Sequence, residues 1–247
     1  MTLTHLPITG LPVGRVNKLA IVCGDPARAD HIAGQLDNAT LLSHKREYRA
    51  HNGGYHGTPI TVCSHGVGAP GAAIAFEELI VAGANTIIRV GTCGGLQPDI
   101  RSGALVIATA AVQNTGYGRE SVPDGYPAVA DPSVVLALQR VATSNAHMAH
   151  SGIVLTRDNF YAGVDAPAGV DYRVMSKARV LAVEMECAAL FLVGSLRGVP
   201  AAAILVADGN VLESAESVET YNPHQDTVRI ALDGAIKCAL EALCSLA

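Results

Sequence analysis

The sequence has no apolar run approaching the roughly 20 residues that a bilayer-spanning helix needs. Its opening stretch, Met1 to Lys18, lacks the charged-then-apolar layout of a secretory signal. There is no C-x-x-C pair, and the six cysteines (23, 63, 93, 187, 238 and 244) share no paired spacing, several of them sitting inside apolar strands. Buried, reduced thiols in a cytoplasmic protein are therefore expected. There is no H-E-x-x-H, and the nine histidines are scattered, with His147 and His150 reading as a surface pair, so no metal is expected. Positive charge is not in excess: 17 Lys and Arg face 22 Asp and Glu, for a net charge of −5. That excludes a general nucleic-acid or anionic-membrane surface and leaves room only for a local basic pocket. Internal repeats and low-complexity segments are absent as well.

What is present is an apolar chain of 247 residues, 49% hydrophobic and 16% charged, with the length of one large domain and the means to bury an extensive core. Short apolar runs alternate with helical stretches. Strands are predicted at Leu19–Gly24, Ile60–Ser64, Thr86–Val90, Ala104–Val112, Gly152–Leu155, Val180–Val183 and Ala201–Ala207. Helices are predicted at Pro26–Leu36, Gly71–Ala82, Pro132–Ala146, Cys187–Arg197 and Asp226–Leu246. The last carries an apolar stripe of Val228, Leu232, Ile236, Ala239 and Leu243, beside a face of alternating charge. The alternation predicts an α/β fold with a buried, parallel or mixed sheet. Gln113–Ala130 and Gly209–Gln225 read as long loops, which in a compact domain often serve as lids or oligomer contacts.

Several turns carry polar residues suited to chemistry. Gly66-Val67-Gly68-Ala69-Pro70-Gly71 matches the dinucleotide-binding pattern letter for letter. The following strand, however, ends in Arg89 rather than the acid that would hold a ribose, so a nicotinamide cofactor is not expected. Gly24-Asp25-Pro26-Ala27-Arg28 joins a strand to a helix, where glycine admits a ligand to the backbone and Arg28 projects near the helix N-terminus: an anion site, or a capped helix with a surface arginine. Arg89 ends an apolar strand and needs a partner, either a carboxylate or a ligand, because an unpaired buried cation is costly. Glu184 and Glu186 sit at a strand-to-helix junction, where a carboxylate pair can grip a sugar diol and a capping role fits one of the two. Asp208 closes the final strand, where burial would raise its pKa and let it act as an acid, or where it caps a loop.

In order along the chain stand G-D-P-x-R (Gly24 to Arg28), R-E-Y (Arg46 to Tyr48), S-H-G-V-G-x-x-G (Ser64 to Gly71), R-V-G-T-C-G-x-L-Q-P-D (Arg89 to Asp99), E-M-E-x-A (Glu184 to Ala188) and a final D-G at Asp208. Together they resemble the nucleoside phosphorylase-I family over essentially the whole chain, and within it the hexameric purine nucleoside phosphorylases first, the uridine phosphorylases next. The resemblance implies a single α/β domain over residues 1–247, with a twisted mixed central sheet, partly barrel-like, flanked by helices. It implies phosphorolysis of purine nucleosides, with inorganic phosphate as co-substrate and no other cofactor. Gly24, Arg28, Arg89 and Thr92 would hold phosphate. Arg46 would reach it from an adjacent subunit, and His5 would cross the same interface to the ribose 5′-hydroxyl, in a homo-oligomer built as a trimer of dimers. Met185 and Glu186, with Glu184 nearby, would lie under the ribose. Phe160 and Tyr161 would flank base and sugar, Cys93 and Gly94 would line the base pocket, and Asp208 would protonate the leaving base.

Two departures from the family pattern bear on the substrate. Where uridine phosphorylases carry a glutamine and an arginine that read uracil, the matching positions hold Val164 and Ala166, which argues against a pyrimidine. The segment Gly209–Thr227 has no Lys or Arg, so the arginine that follows the catalytic aspartate in bacterial hexameric purine enzymes has no counterpart there. Phosphorolysis of uridine or a 5′-modified nucleoside, hydrolysis by a nucleosidase, and plain nucleoside binding are the competing readings. The arginine set speaks against the hydrolase, since water needs no such anion site.

Overall fold

A computed structural model describes residues 3–145, 147–161, 169–213, 221–222 and 225–247. Val164 and Ala166 lie outside the described residues. Ten strands and seven helices alternate in these segments: β1 (Leu19–Cys23), α1 (Pro26–Ala33), β2 (Asp37–Lys45), β3 (Tyr48–Tyr55), β4 (Thr58–Ser64), α2 (Ala69–Ala82), β5 (Thr86–Gly95), β6 (Leu105–Asn114), α3 (Gly116–Ser121), β7 (Ala128–Val129), α4 (Pro132–Ser144), β8 (Ala149–Arg157), α5 (Tyr172–Lys177), β9 (Ala182–Glu184), α6 (Cys187–Arg197), β10 (Ala201–Asn210) and α7 (Asp226–Ser245). Asp-Pro pairs start two of the helices: Asp25 accepts a bond from the Ala27 N–H at 2.8 Å, and Asp131 from that of Ser133 at 2.9 Å, each followed by proline in the first turn.

All ten strands join one mixed sheet in the order β10-β6-β8-β9-β5-β1-β4-β3-β2, with β7 on β6. A further pairing of β10 with β5 closes β5, β10, β6, β8 and β9 into a ring. The sheet is therefore part barrel and part open wing, and the wing is β1-β4-β3-β2. Strands β1 and β10 are buried along nearly their whole length, and α6 is buried from Cys187 to Gly194, so helices cover both faces of the sheet. Helix α7 buries Val228, Ile236, Ala239 and Leu243 as the stripe predicts. All six cysteines are reduced thiols outside any disulfide, five of them buried.

The hairpin of β2 and β3 is absent from the sequence-based expectation. Strand β2 is a largely exposed edge with no apolar alternation, and β3 carries Asn52, Gly53 and Gly54, so neither shows the pattern of a half-buried strand. The predicted long loop Gln113–Ala130 is also corrected. Strand β6 runs on to Asn114, and α3 and β7 occupy much of the stretch from there to Ala130. Thr115 starts α3 by accepting from the Gly118 N–H at 3.0 Å.

The sheet also sets where a ligand can enter. The same edge of β5 pairs with β1 up to Arg89 and with β9 from Gly94 onward. Between them the edge is left by both neighbours, opening a crevice beyond the carboxyl end of β1, the place where open α/β sheets bind ligands.

Candidate active site

A cavity of about 700 Å³ fills this crevice. Of the residues singled out from sequence, Gly24, Arg28, Arg89, Thr92, Cys93, Gly94, Phe160, Tyr161, Glu184, Met185, Glu186 and Asp208 all line it. Arg46 and His5 do not line the cavity of their own chain. Arg46 forms the tip of the β2–β3 hairpin with φ of +55°, and both side chains are exposed. The residue after Arg46, Glu47, lines the cavity instead.

Arg89 lies at one end. Its side chain is 5% exposed, and one guanidinium nitrogen, Nη2, donates to Glu186 Oε2 and lies 3.7 Å from Glu184 Oε2. The guanidinium folds back along its own strand, which only glycine at 91 permits: a Cβ there would fall 1.9 Å from Nη1. Burial by itself would pull the arginine toward its neutral form, but Glu186, Cys187 and Glu184 outweigh it and hold the charge. Nε and Nη1 have no hydrogen-bond partner among the described residues. Two buried cationic donors beside Gly24, Arg28 and Thr92 form a receptor for an anion.

The two glutamates divide their work. Glu184 Oε2 accepts from the N–H groups of Glu186 and Cys187, both at 2.8 Å, and Oε1 from the Thr156 hydroxyl, so Glu184 caps α6 and braces the junction. Burial raises its pKa. Glu186 is held ionised. Burial opposes this, but Arg89 and the Gly68 N–H, 2.6 Å from Oε1, outweigh it. Gly68 offers that N–H from a backbone with φ of +94°, open to glycine and strained for any other residue. His65, wholly buried beneath this turn, donates from Nδ1 to the Gly66 carbonyl at 2.9 Å, and burial drives its pKa down to about 4, leaving it neutral.

Asp208 stands toward the other end, five positions along β10 from Ala203, the residue opposite Arg89, and is 8% exposed. Burial raises its pKa to about 6, against the opposing pull of a 2.8 Å bond from the Tyr221 hydroxyl and the more distant charge of Arg28. Phe160 packs edge-on against both Tyr161 and Tyr221, each at 5.0 Å between ring centres, making an aromatic wall.

Sequence reasoning passes over Arg157, Tyr172 and Tyr221, which also line the cavity. Arg157 is 3% exposed, donates from Nη1 to the Tyr172 hydroxyl at 2.8 Å, and lies over the Tyr172 ring at 5.2 Å. The available signal is the one that marks Arg89 and Asp208, a charge at the end of an apolar strand. The strand predicted at Gly152–Leu155 stops two residues short of it.

Set against known proteins, a family model described as the phosphorylase superfamily matches residues 18–243. A uridine phosphorylase of Treponema pallidum is 39% identical over 95% of this chain and 91% of that one. A guanosine phosphorylase of Halorubrum lacusprofundi is 36% identical over 94% of this chain and 95% of its own. The crystal structure of a Toxoplasma gondii purine nucleoside phosphorylase in complex with immucillin-H superposes with a TM-score of 0.93 at 34% identity, covering 100% of this chain and 98% of that one.

Proposed function

The chain belongs to the phosphorylase superfamily, and from that membership we propose that it is a pentosyltransferase cleaving purine nucleosides with inorganic phosphate to the free base and ribose 1-phosphate. The observation that carries this reading is a cavity with a two-donor buried cation, Arg89, at one end and a buried acid, Asp208, at the other.

Phosphate sits against Arg89 and Arg28, with Thr92 supplying a hydroxyl and Gly24 the space for close approach. Charge-assisted bonds of this kind contribute about 1.5–3 kcal/mol each. They replace the water around a weak nucleophile and aim one of its oxygens at the anomeric carbon. Glu186, held ionised by Arg89, accepts from the ribose 2′- and 3′-hydroxyls, while Met185 packs under the ring. Arg89 thus touches both the Glu186 carboxylate that holds the sugar and the phosphate, fixing their relative position. As the glycosidic bond lengthens, positive charge grows on the sugar and the phosphate anion stabilises it. The electron pair of that bond leaves with the base, which takes a proton from Asp208 at N7. A phosphate oxygen then bonds to the anomeric carbon. The proton that monohydrogen phosphate gives up restores the acid, so overall it passes from phosphate to base.

Arg46 and His5 are given the roles of completing a neighbouring subunit's site, at its phosphate and its ribose 5′-hydroxyl, in a homo-oligomer of paired subunits. Mixing an Arg46→Ala protein with an Arg89→Ala protein then restores activity through mixed pairs holding one intact site. No recovery after proven subunit exchange counts against shared sites.

Phosphorolysis of uridine is the second reading, favoured by the Treponema pallidum relative. One assay tests both: inosine, guanosine, adenosine and uridine, each with and without phosphate. The proposal expects ribose 1-phosphate from a purine nucleoside and no turnover in phosphate-free buffer. Release of free ribose at an undiminished rate without phosphate would sink it, and uridine as the better substrate would replace purine with pyrimidine.

A further inference from the structure

We infer that Tyr221 is the positioning residue that makes Asp208 a directional acid, its hydroxyl holding one carboxyl oxygen so that the other delivers the proton to the base. The inference rests on the nucleoside-cleaving reading and adds to it a residue that the chain order of motifs does not contain.

The geometry is specific. The Tyr221 hydroxyl donates to Asp208 Oδ2 at 2.8 Å, and both residues line the cavity. Among the described residues no other side chain bonds that carboxyl group. Ser102 and Gln225 reach only the Asp208 main-chain carbonyl. The Tyr221 ring is set by its edge-on contact with Phe160, 5.0 Å between centres, so packing fixes the direction of the hydroxyl. No lysine or arginine lies between Gly209 and Thr227, so along this segment a neutral donor stands beside the acid.

A neutral carboxyl group carries one proton. With the phenol donating to Oδ2, the acid's own proton is placed on Oδ1. When that proton moves to the base, the electron pair of the O–H bond stays behind and Asp208 becomes an anion in a buried site. The phenolic bond then becomes charge-assisted and roughly twice as strong. It is therefore stronger in the transition state than in the ground state, which is the condition for raising kcat rather than lowering KM. A cation in the same place would stabilise the ionised acid beforehand and lower its readiness to give the proton. Among the described residues, the other ionisable groups around Asp208 are Arg28, whose charge favours the anion, and the thiol of Cys93 across the β5–β10 register beside Ala207.

The test is Tyr221→Phe, which keeps the ring and its contact with Phe160. With inosine and saturating phosphate, kcat is expected to fall about tenfold with KM within about twofold. Removing the donor also raises the value at which Asp208 ionises, so the limb where kcat falls with rising pH moves to higher pH. With 7-methylguanosine, whose base is already cationic and needs no proton from the enzyme, kcat stays at the wild-type level, which also certifies the fold of the same preparation. Equal losses on both substrates, or an unmoved limb, would reduce Tyr221 to packing and overturn the inference. Asp208→Asn separates the two levels of the proposal. Loss of inosine turnover in that variant beside a wild-type Tyr221→Phe removes the role of Tyr221 alone. Absence of phosphate-dependent cleavage in the unmodified enzyme removes the nucleoside-cleaving reading.

Discussion

The two ends of the cavity are built from different material. The cationic end comes from the sheet itself: Arg89 within β5, Glu184 closing β9, and Gly24 and Arg28 where β1 passes into α1. Arg89, Glu184 and Glu186 are buried and tied to one another by hydrogen bonds and ion pairs, with Gly24 and Arg28 half-buried beside them. The acid end is assembled from where strands run out. Asp208 sits at a register irregularity of β10, two residues before that strand ends rather than closing it, Arg157 closes β8, and Phe160, Tyr161 and Tyr221 follow strands at a distance. Tyr161 is 55% exposed, while the side chain of Arg89 is 5% exposed. A rigid end suits the step common to every substrate, the aiming of phosphate at the sugar. An end made of separate pieces suits the discrimination of one base from another, because each piece changes without disturbing the sheet.

If that division is right, damage to the cationic end harms folding and chemistry together. Arg89→Gln leaves Glu186 buried without its cation, a loss of about 3–5 kcal/mol for a broken buried pair. It also removes the two donors aimed at the anion. The expected outcome is a fall in kcat/KM of about 10⁴-fold or more, with the same ratio for every nucleoside accepted. Differential scanning calorimetry and a substrate panel check both parts. Losses that differ widely between bases would show that Arg89 reads the base and would break the division.

Damage to the acid end is expected to be selective and to leave the fold firmer. Asp208→Asn removes the transferable proton, so kcat for inosine falls by about 10²- to 10⁴-fold while 7-methylguanosine loses far less and phosphate affinity hardly changes. The same variant changes stability with pH in a defined direction. Burial lifts the folded-state value of Asp208 from the ordinary 3.8 to about 6. A group raised on folding contributes its full stability below the unfolded value, and that contribution is lost as pH rises through the folded one. Ionising Asp208 at neutral pH therefore costs about 3 kcal/mol, a cost that asparagine does not bear. Urea denaturation at pH 4 and pH 8 should show the variant's stability relative to wild type rising between them, and a flat difference would remove the buried-acid description.

The same contrast decides what can be read from the amino-acid order. The cationic end is built from local motifs, each legible on its own: a strand, a glycine turn and a helix start within a few residues fix where Arg28 stands, and an apolar strand followed by glycines fixes Arg89. Glu184 and Glu186 illustrate the limit of that reading. Both carboxylates are visible, but which one caps α6 depends on backbone angles at a junction, and the pair separates only in three dimensions. The base end gives a partial reading because its members meet from across the chain. Asp208 is marked by its place after an apolar run, while Tyr221 lies thirteen residues on with no pattern to tie it to the acid. Strands β2 and β3 escape detection for another reason: an exposed edge needs no apolar alternation. The barrel closure comes from the family resemblance, because the β5–β10 pairing joins segments separated by more than a hundred residues.

Arg157 sharpens the acid end further. It is a buried donor at the end of β8, cradled by Tyr172, in a cavity whose base-facing wall is otherwise aromatic. A buried donor of this kind favours a base presenting a carbonyl acceptor over one presenting an amino group. Arg157→Gln is expected to lower the preference for inosine over adenosine about tenfold in kcat/KM, with phosphate KM unchanged. Steady-state kinetics on the two nucleosides check it, and an unaltered ratio would leave Arg157 as a support for Tyr172 alone.

The smallest expected effect lies at the cationic end and isolates a single bond. Thr92 is half-buried on β5 opposite Val206 and lines the cavity. Thr92→Val preserves the branched shape that suits a strand and removes only the hydroxyl. One hydrogen bond to an anion already held by arginines contributes about 1 kcal/mol, roughly fivefold. That loss should fall on the KM for phosphate, leaving the KM for nucleoside and the selectivity among bases where they were. A rise in nucleoside KM of the same size would mean that the hydroxyl serves the sugar, and the boundary between the two ends would then run through β5 at Thr92 rather than beyond it.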